Sequence, residues 1–388
     1  MSQWKRRNLT PIGKITVVKS LLISKLVRLF IALPNPSQKF IKDLETALLN
    51  FVWNSKRNPI KRSKLVQHCS QDGLQMLGIT ALLQSMKLSW LKRLLVSDTD
   101  WTKLASQQLP EISRLLTYGK EKLKTLKEKM TNPFYIDLLS ALIRFNAEYL
   151  PSKDELLTDT IWFSDHTKYH KTIIKSWDKK GLRFIRDLFN TDTGELLSKR
   201  EIEDRFQLSM TFLCHASLIR SLPISIRSNN VIVKDQGPNI PYRLNLVLNK
   251  PKFSRFAYYT FVSFLNRKNV TVDERLKRSW QRDIGYFSEG SSMILKTATR
   301  STYLHYLHFR ITTRMFATNR LLCSMKLSQN SHCSFCNAAV ETLTHLFWHC
   351  PKVQEFILSI VSHLRINYSF HLNLNDKSWF FSARNDRY

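Results

Sequence analysis

The run Thr10-Pro-Ile-Gly-Lys-Ile-Thr-Val-Val-Lys-Ser-Leu-Leu-Ile-Ser-Lys-Leu-Val-Arg-Leu-Phe-Ile-Ala-Leu-Pro34 sets the architecture of the chain. Thr10 is a good N-cap, and Pro11 brings the fixed φ that suits a first helical position. Ile12, Ile15, Val18, Leu22, Leu26, Leu29 and Leu33 then recur every three or four residues, which predicts one amphipathic helix over 11–33. At 100° per residue Lys14, Lys25 and Arg28 fall within about 60° of one another beside that stripe, as a basic face.

Working outward, Pro34 and Pro36 stop the helix and Ser37 can cap a second, with Phe40, Leu44, Leu48 and Phe51 as its buried side. Two antiparallel helices follow from this. After Trp53 comes Lys56-Arg57-Asn58-Pro59-Ile60-Lys61-Arg62-Ser63-Lys64, five cations with no carboxylate among them. Gly73 and Gly78 bracket a turn, and Ile79 to Leu95 reads as helix again, with Lys87, Lys92 and Arg93 interleaved with Trp90. Residues 1–105 therefore read as one basic helical unit.

The whole chain of 388 residues agrees with that start. Its 43% hydrophobic content is enough for buried cores, and 9 glycines are too few for Rossmann turns, phosphate loops or many-turned β folds. A net charge of +30 repels itself unless a polyanion shares it. Residues 1–96 hold 17 Lys+Arg against 3 Asp+Glu, whereas residues 321–388 hold 6 against 4. The basic field is thus concentrated at the amino-terminal side. Lys14 and Lys19 interrupt the early apolar runs, so no secretory signal is read, and no uncharged stretch reaches bilayer length. With six unevenly placed cysteines, the expectation is an intracellular, reducing location, nuclear and cytoplasmic, without a membrane partner.

Beyond the first unit, residues 106–150 read as a helical connector that Pro151 ends, and 151–245 as a mixed connector region. Within the latter, Arg227–Arg243, with Gly237-Pro238 and Pro241, is the best linker. Residues 246–325 read as a basic, aromatic helical unit and 326–388 as a zinc-binding module. The fold class is mainly α: a multi-unit helical protein with a small C-terminal zinc-binding module.

The sharpest chemical signal is Cys333-Ser-Phe-Cys336, followed by His345 and Cys350. Two cysteines three apart can hold one metal from a tight knuckle, and a histidine and a cysteine from a following short helix can complete a tetrahedron. Three thiolates and an imidazole suit structural Zn2+, and a closed set of four leaves no position for a catalytic water. His332 and His349 flank the set and could each replace a ligand. Leu343, Leu346 and Phe347 are expected to pack beneath it. Cys69, Cys214 and Cys323 lack partners at ligand spacing and read as packing residues.

No catalytic residue is assigned. There is no adjacent Asp-Asp pair to hold two metals, no Walker loop, no HExxH and no Gly-x-Ser-x-Gly, and nothing marks a small-molecule substrate.

Three islands of sequence resemble one family. Trp4, Leu9 to Ile15, Val18-Lys19, Leu33-Pro34, Phe51-Val-Trp53-Asn54, the Lys56–Lys64 run and Lys87-Leu-Ser-Trp90-Leu-Lys-Arg93 look like the thumb of LINE-type, non-LTR retrotransposon reverse transcriptases. Lys180-Gly181-Leu182, Asp187-Leu188-Phe189 and Gly194 are similar to that family's connector. Thr318-Asn319 and Cys333 to Pro351 are similar to its terminal zinc-binding segment. The resemblance implies a carboxyl-terminal portion of such a polypeptide, an RNA-directed DNA polymerase, without its polymerase and endonuclease centres. It also implies partners: a template-primer duplex for the thumb and element RNA for the terminal segment. On that basis the nucleic-acid contacts are Lys14, Lys25, Arg28, Arg57, Lys61, Arg62 and Lys64, with Trp90 a stacking candidate. Cations that neutralise phosphates release counterions, so such binding is strong, sequence-tolerant and salt-dependent. The alternative is a zinc-braced scaffold for an acidic protein partner, and a third class is an unrecognised enzyme on the same helices.

Overall fold

A computed structural model of the chain describes residues 4, 7–54, 58–162, 164–165, 174–227, 240–267, 270–369 and 374–381. Among these the regular structure is helical, and the only β features are isolated antiparallel bridges at Thr160–Phe184, Phe189–Leu196 and His332–Val340. The chain forms two compact units, each discontinuous in sequence: 1–25, 38–78 and 265–388 in one, 26–37 and 79–264 in the other.

The opening helix starts as expected, with the Thr10 hydroxyl accepting from Gly13 N at 3.2 Å and Pro11 in the first turn. It is not one regular α-helix. Pro11–Val17 and Ser24–Ala32 are α, and Val18–Ile23 between them is a π-helix. The hydroxyls of Thr16, Ser20 and Ser24 donate to the carbonyls of Ile12, Thr16 and Ser20, at 3.2, 2.8 and 2.6 Å, competing with the backbone ladder there. A π turn inserts one extra residue and rotates everything after it. Ile15 and Val18 are buried as the spacing predicts, but Ile23 at the end of the π segment and Phe30 beyond it are inside, and Leu29 and Leu33 are half exposed.

In the first unit Pro11–Val17 packs on Gln38–Trp53 and on Thr302–Thr312. The Gln38–Trp53 helix begins directly after Ser37; it buries Ile41, Leu48, Leu49, Phe51 and Val52 and leaves Phe40 exposed. Ser291–Ala298 packs on Thr302–Thr312 and on the 3-10 turn Cys69–Gln71. Asp72 fixes that arrangement. Its buried carboxylate accepts from Gly290 N at 3.0 Å and Ser292 N at 3.1 Å, supplying acceptors to helix-terminal amides that have none within the helix. Gly73 is required beside it, because a Cβ there would lie 2.2 Å from Gln67 O.

The second unit is built on Ile79–Val96, which packs against Pro133–Glu148 and Tyr242–Asn249. Ile79–Val96 buries residues around most of its circumference, including Lys87, which is wholly inside. Such a charge persists only with acceptors. The Lys87 ammonium donates to Phe30 O at 3.0 Å and to Leu33 O, the orphan carbonyls at the end of Ser24–Ala32 that the proline break exposes. One turn on, Trp90 Nε1 donates to Ile31 O at 2.9 Å. Burial lowers the Lys87 pKa to about 8, against the raising effect of Asp137.

A separate core in the same unit gathers Trp162, Trp177, Leu182, Ile185, Leu188, Phe189, Ile202 and Leu218. Most of the expected 227–243 linker, residues 228–239, lies outside the described residues. Its end is no linker: Tyr242 and Arg243 begin a helix and are buried, and Arg243 Nη1 donates to Tyr118 O at 3.1 Å.

Candidate metal centre

Few apolar side chains of the segment 331–350 are buried, and its local structure comes from backbone bonds. Cys333 N donates to Ala339 O and Glu341 N to Ser331 O, each at 2.8 Å, around the His332–Val340 bridge. Asn337 N returns to Cys333 O at 2.9 Å, with Asn337 in the left-handed region at φ 56°, so the chain turns sharply just after Cys336. His345 N is received by Thr342 Oγ1 at 3.0 Å, starting the π-helix His345–His349. Cys350 N closes that turn on His345 O at 2.8 Å, and Pro351 then opens the helix Pro351–Tyr368.

These turns bring the ligand atoms of Cys333, Cys336, His345 and Cys350 within 4.8 Å of one another. Zn–S bonds near 2.3 Å and a Zn–N bond near 2.0 Å in a tetrahedron require S···S edges of about 3.8 Å and S···N edges of about 3.6 Å. Cys333 Sγ and Cys350 Sγ are 3.9 Å apart, and Cys336 Sγ and His345 Nε2 are 3.4 Å apart. The sulfurs are too distant for a disulfide, which needs about 2.05 Å. The donors therefore fit Zn2+ in kind, number and spacing, and a set filled by four protein donors suits a structural ion.

The surroundings prepare the thiolates a metal needs. Amides of Ala338 and Ala339 bring the Cys336 pKa down to about 6, against burial, with His345 and Cys333 adding to the lowering. Cys333 is wholly buried, which pushes its thiol up, while the amides of Cys336 and Phe335 oppose this. The alternatives to the four ligands stand apart: His332 is exposed with Nδ1 2.9 Å from Asn330 Oδ1, and His349 is exposed. Leu343 is buried with Trp280, Ile284, Phe380 and Phe381, and Phe347 packs against that group, whereas Leu346 is only half-buried.

One residue of the centre escaped the motif reading. Glu341 is 4% exposed, and its carboxylate accepts from Asn319 N at 2.8 Å, Asn319 Nδ2 at 3.2 Å, Ser334 N at 2.9 Å and Ser334 Oγ at 3.0 Å. It ties the start of the Asn319–Ser324 helix to the knuckle residue between the first two cysteines. Burial pushes its carboxyl up, but the Ser334 and Asn319 donors and the charge on His345 outweigh that, and the net direction is down. A signal existed: Glu341 is the one Asp or Glu between residues 290 and 354.

The residues expected to meet nucleic acid divide. Lys25, Arg28, Lys61 and Arg62 are exposed, Arg62 lying 3.7 Å from Glu45. Lys64 is half-buried and donates to Gln71 O at 2.8 Å. Arg57 lies outside the described residues. Lys14 is a core residue, buried with its ammonium 5.9 Å from the centre of the Phe51 ring, because the helix turns it inward beside Ile15. Trp90 is engaged as well: besides its bond to Ile31 O, it meets Phe134 edge-on at 5.5 Å and carries Arg93 over its ring at 5.1 Å. Among the described residues no helix is long and apolar enough to cross a membrane.

The fold and site define a class: helical proteins carrying a closed Cys3His zinc segment. Within it, residues 291–356 match the family model described as zinc-binding in reverse transcriptase. That span covers Ser291–Ala298, Thr302–Thr312 and Asn319–Ser324 and contains all four metal donors.

Proposed function

We propose that this chain is the nucleic-acid-binding, carboxyl-terminal part of a retrotransposon reverse transcriptase of the LINE-type, non-LTR class, and that it grips RNA and DNA through phosphate contacts. The observation that carries this reading is the match of residues 291–356 to the reverse-transcriptase zinc segment, with a donor cluster of tetrahedral dimensions inside it. The net charge of +30 supplies the affinity for a polyanion, and Lys25, Arg28, Lys61 and Arg62 are exposed to deliver it. The role of the zinc is bracing. Nucleotide addition is not assigned to this chain, since its sequence holds no adjacent Asp-Asp pair to hold two metals.

The test is fluorescence anisotropy with a labelled RNA and a template-primer duplex. Affinity should fall about tenfold or more between 50 and 200 mM salt as released counterions are opposed. A flat salt response refutes the reading. Primer extension with deoxynucleotides and magnesium should be absent, and measurable extension would overturn the assignment to a non-catalytic part.

A further inference from the structure

Beside the zinc segment lies a cleft of about 740 Å³ whose walls include Arg282, Arg314, Phe316 and Arg320, with Thr318 and Thr344 at its polar side. Its charge is not cancelled by its own surroundings. Among the described residues Asp283 is the only carboxylate in the lining, and it is shared: Arg314 Nη1 lies 2.7 Å from it and Arg282 Nε 3.3 Å. Three guanidinium groups against one carboxylate leave a net positive concavity.

In that concavity Arg314 is held by its neighbours and Arg320 is the unspent cation. Arg314 is fixed, with its guanidinium 4.1 Å above the Trp280 ring and Nη2 donating to Ser279 O at 3.3 Å, yet its Nε is buried without an acceptor. Arg320 is exposed and makes no hydrogen bond or ion pair among the described residues. Phe316 adds an aromatic ring held edge-on against Phe347 at 5.0 Å, with the Arg310 guanidinium 4.1 Å over one face, so that its other face is the one a base can meet.

We infer that this cleft binds the sugar-phosphate backbone of a single nucleic-acid strand, with Arg282 and Arg320 neutralising phosphates and Phe316 meeting a base. The inference rests on the nucleic-acid reading above and gives it a location. Guanidinium forks match phosphate oxygens, and an aromatic face beside them is the combination that holds single strands without reading sequence. The volume is that of a small-molecule site, enough for one or two nucleotides of a strand and too small to admit a duplex. The metal sets part of the wall, because Thr344 directly precedes the ligand His345.

The experiment uses the zinc-loaded full chain, with a labelled twelve-nucleotide oligouridylate and a twelve-base-pair RNA duplex as probes. Arg282→Ala/Arg320→Ala removes two cations, and Ser324→Glu places an anion on the exposed wall without deleting a contact to the metal centre. Lys124→Ala/Lys129→Ala is the charge-matched control, on two exposed lysines elsewhere. Zinc content and circular dichroism verify folding. Both cleft variants should raise the oligouridylate Kd at least tenfold, and the double variant should make the salt slope shallower by about 1.4 for two lost single-strand phosphate contacts. The control and the duplex should change little. If the wild type binds neither probe, the nucleic-acid reading itself falls. If it binds both and the cleft variants bind like wild type, or no worse than the lysine control, the cleft assignment alone falls. Displacement of the oligouridylate by millimolar uridine monophosphate in wild type would assign a mononucleotide site and overturn the strand.

Discussion

Replacing Glu341 by Gln removes one charge and changes almost no volume, yet it should loosen the metal. The carboxylate receives four donors, two from Asn319 and two from Ser334. An amide has one oxygen and one NH2 group. If the amide oxygen takes the place that serves Asn319 Nδ2 and both Ser334 donors, the NH2 group faces Asn319 N–H, and that buried amide is orphaned at a cost of about 1–3 kcal/mol. The three remaining bonds also lose their charge assistance, partly offset because a neutral group is cheaper to bury. A net loss near 2 kcal/mol is about thirtyfold in an equilibrium constant. Ser334 lies in the knuckle between Cys333 and Cys336, so the loss should be read in zinc affinity, and outer-shell partners of metal ligands are typically worth 10–100-fold. The assay is competition for zinc against a chromophoric chelator. Glu355→Gln is the control, since that carboxylate is exposed and pairs with Lys352 at 3.2 Å on the surface of its own helix. An affinity for Glu341→Gln within twofold of wild type would refute the reasoning.

Elemental analysis should find one zinc per chain, lost in Cys336→Ser and kept in Cys69→Ser, whose sulfur lies against Met293 and is not one of the four clustered donors; retention by Cys336→Ser would discard the centre. Lys87 is ordinary in the unfolded chain at 10.5 and lowered to about 8 when folded. The unfolded state therefore holds more protons between those values, and stability should rise as pH climbs from 8 toward 10.5. Urea unfolding at both ends of the window should show that gain in wild type and not in Lys87→Met; parallel curves would contradict the burial. Asp72→Ala should cost about 1–2 kcal/mol by removing the acceptor of Gly290 N and Ser292 N, visible as a lower urea midpoint, and an unmoved midpoint would show that those amides find other partners. Gly73→Ala should be worse, because backbone at Gln67 must move to admit a methyl group.

Helices and their ends are what the sequence made legible, because proline, capping hydroxyls and apolar spacing act over a few residues. Thr10-Pro11 starts a helix, and the Pro34–Pro36 break ends it, as read. The metal donors were legible for the same reason, all four falling between Cys333 and Cys350. The apolar phase beyond Val18 was not, since hydroxyls bonding four residues back and the π turn they accompany leave no mark in hydropathy. Charge was read least well. A cation on a helix wheel looks solvated, but Lys14 and Lys87 are inside, one near an aromatic ring and the other on two helix-terminal carbonyls. Such roles depend on which helix comes opposite, and that is a matter of residues tens of positions apart.

The same reasoning explains why the zinc end matters more than its charge suggests. Residues 321–388 carry almost no net charge, so composition alone places any polyanion grip at the other end of the chain. Yet the arginines that line the cleft, Arg282, Arg314 and Arg320, precede the zinc ligands in sequence and meet Thr342, Leu343 and Thr344 in space. A segment with so few buried apolar side chains has little hydrophobic stabilisation of its own, and small modules of this kind draw their folding energy from the metal. Zinc and Glu341 then hold one wall while helices supply the cations on the other. On this view metal loss weakens single-strand binding by dismantling a wall while every lysine and arginine side chain stays in place, which separates it from the loss of a phosphate contact.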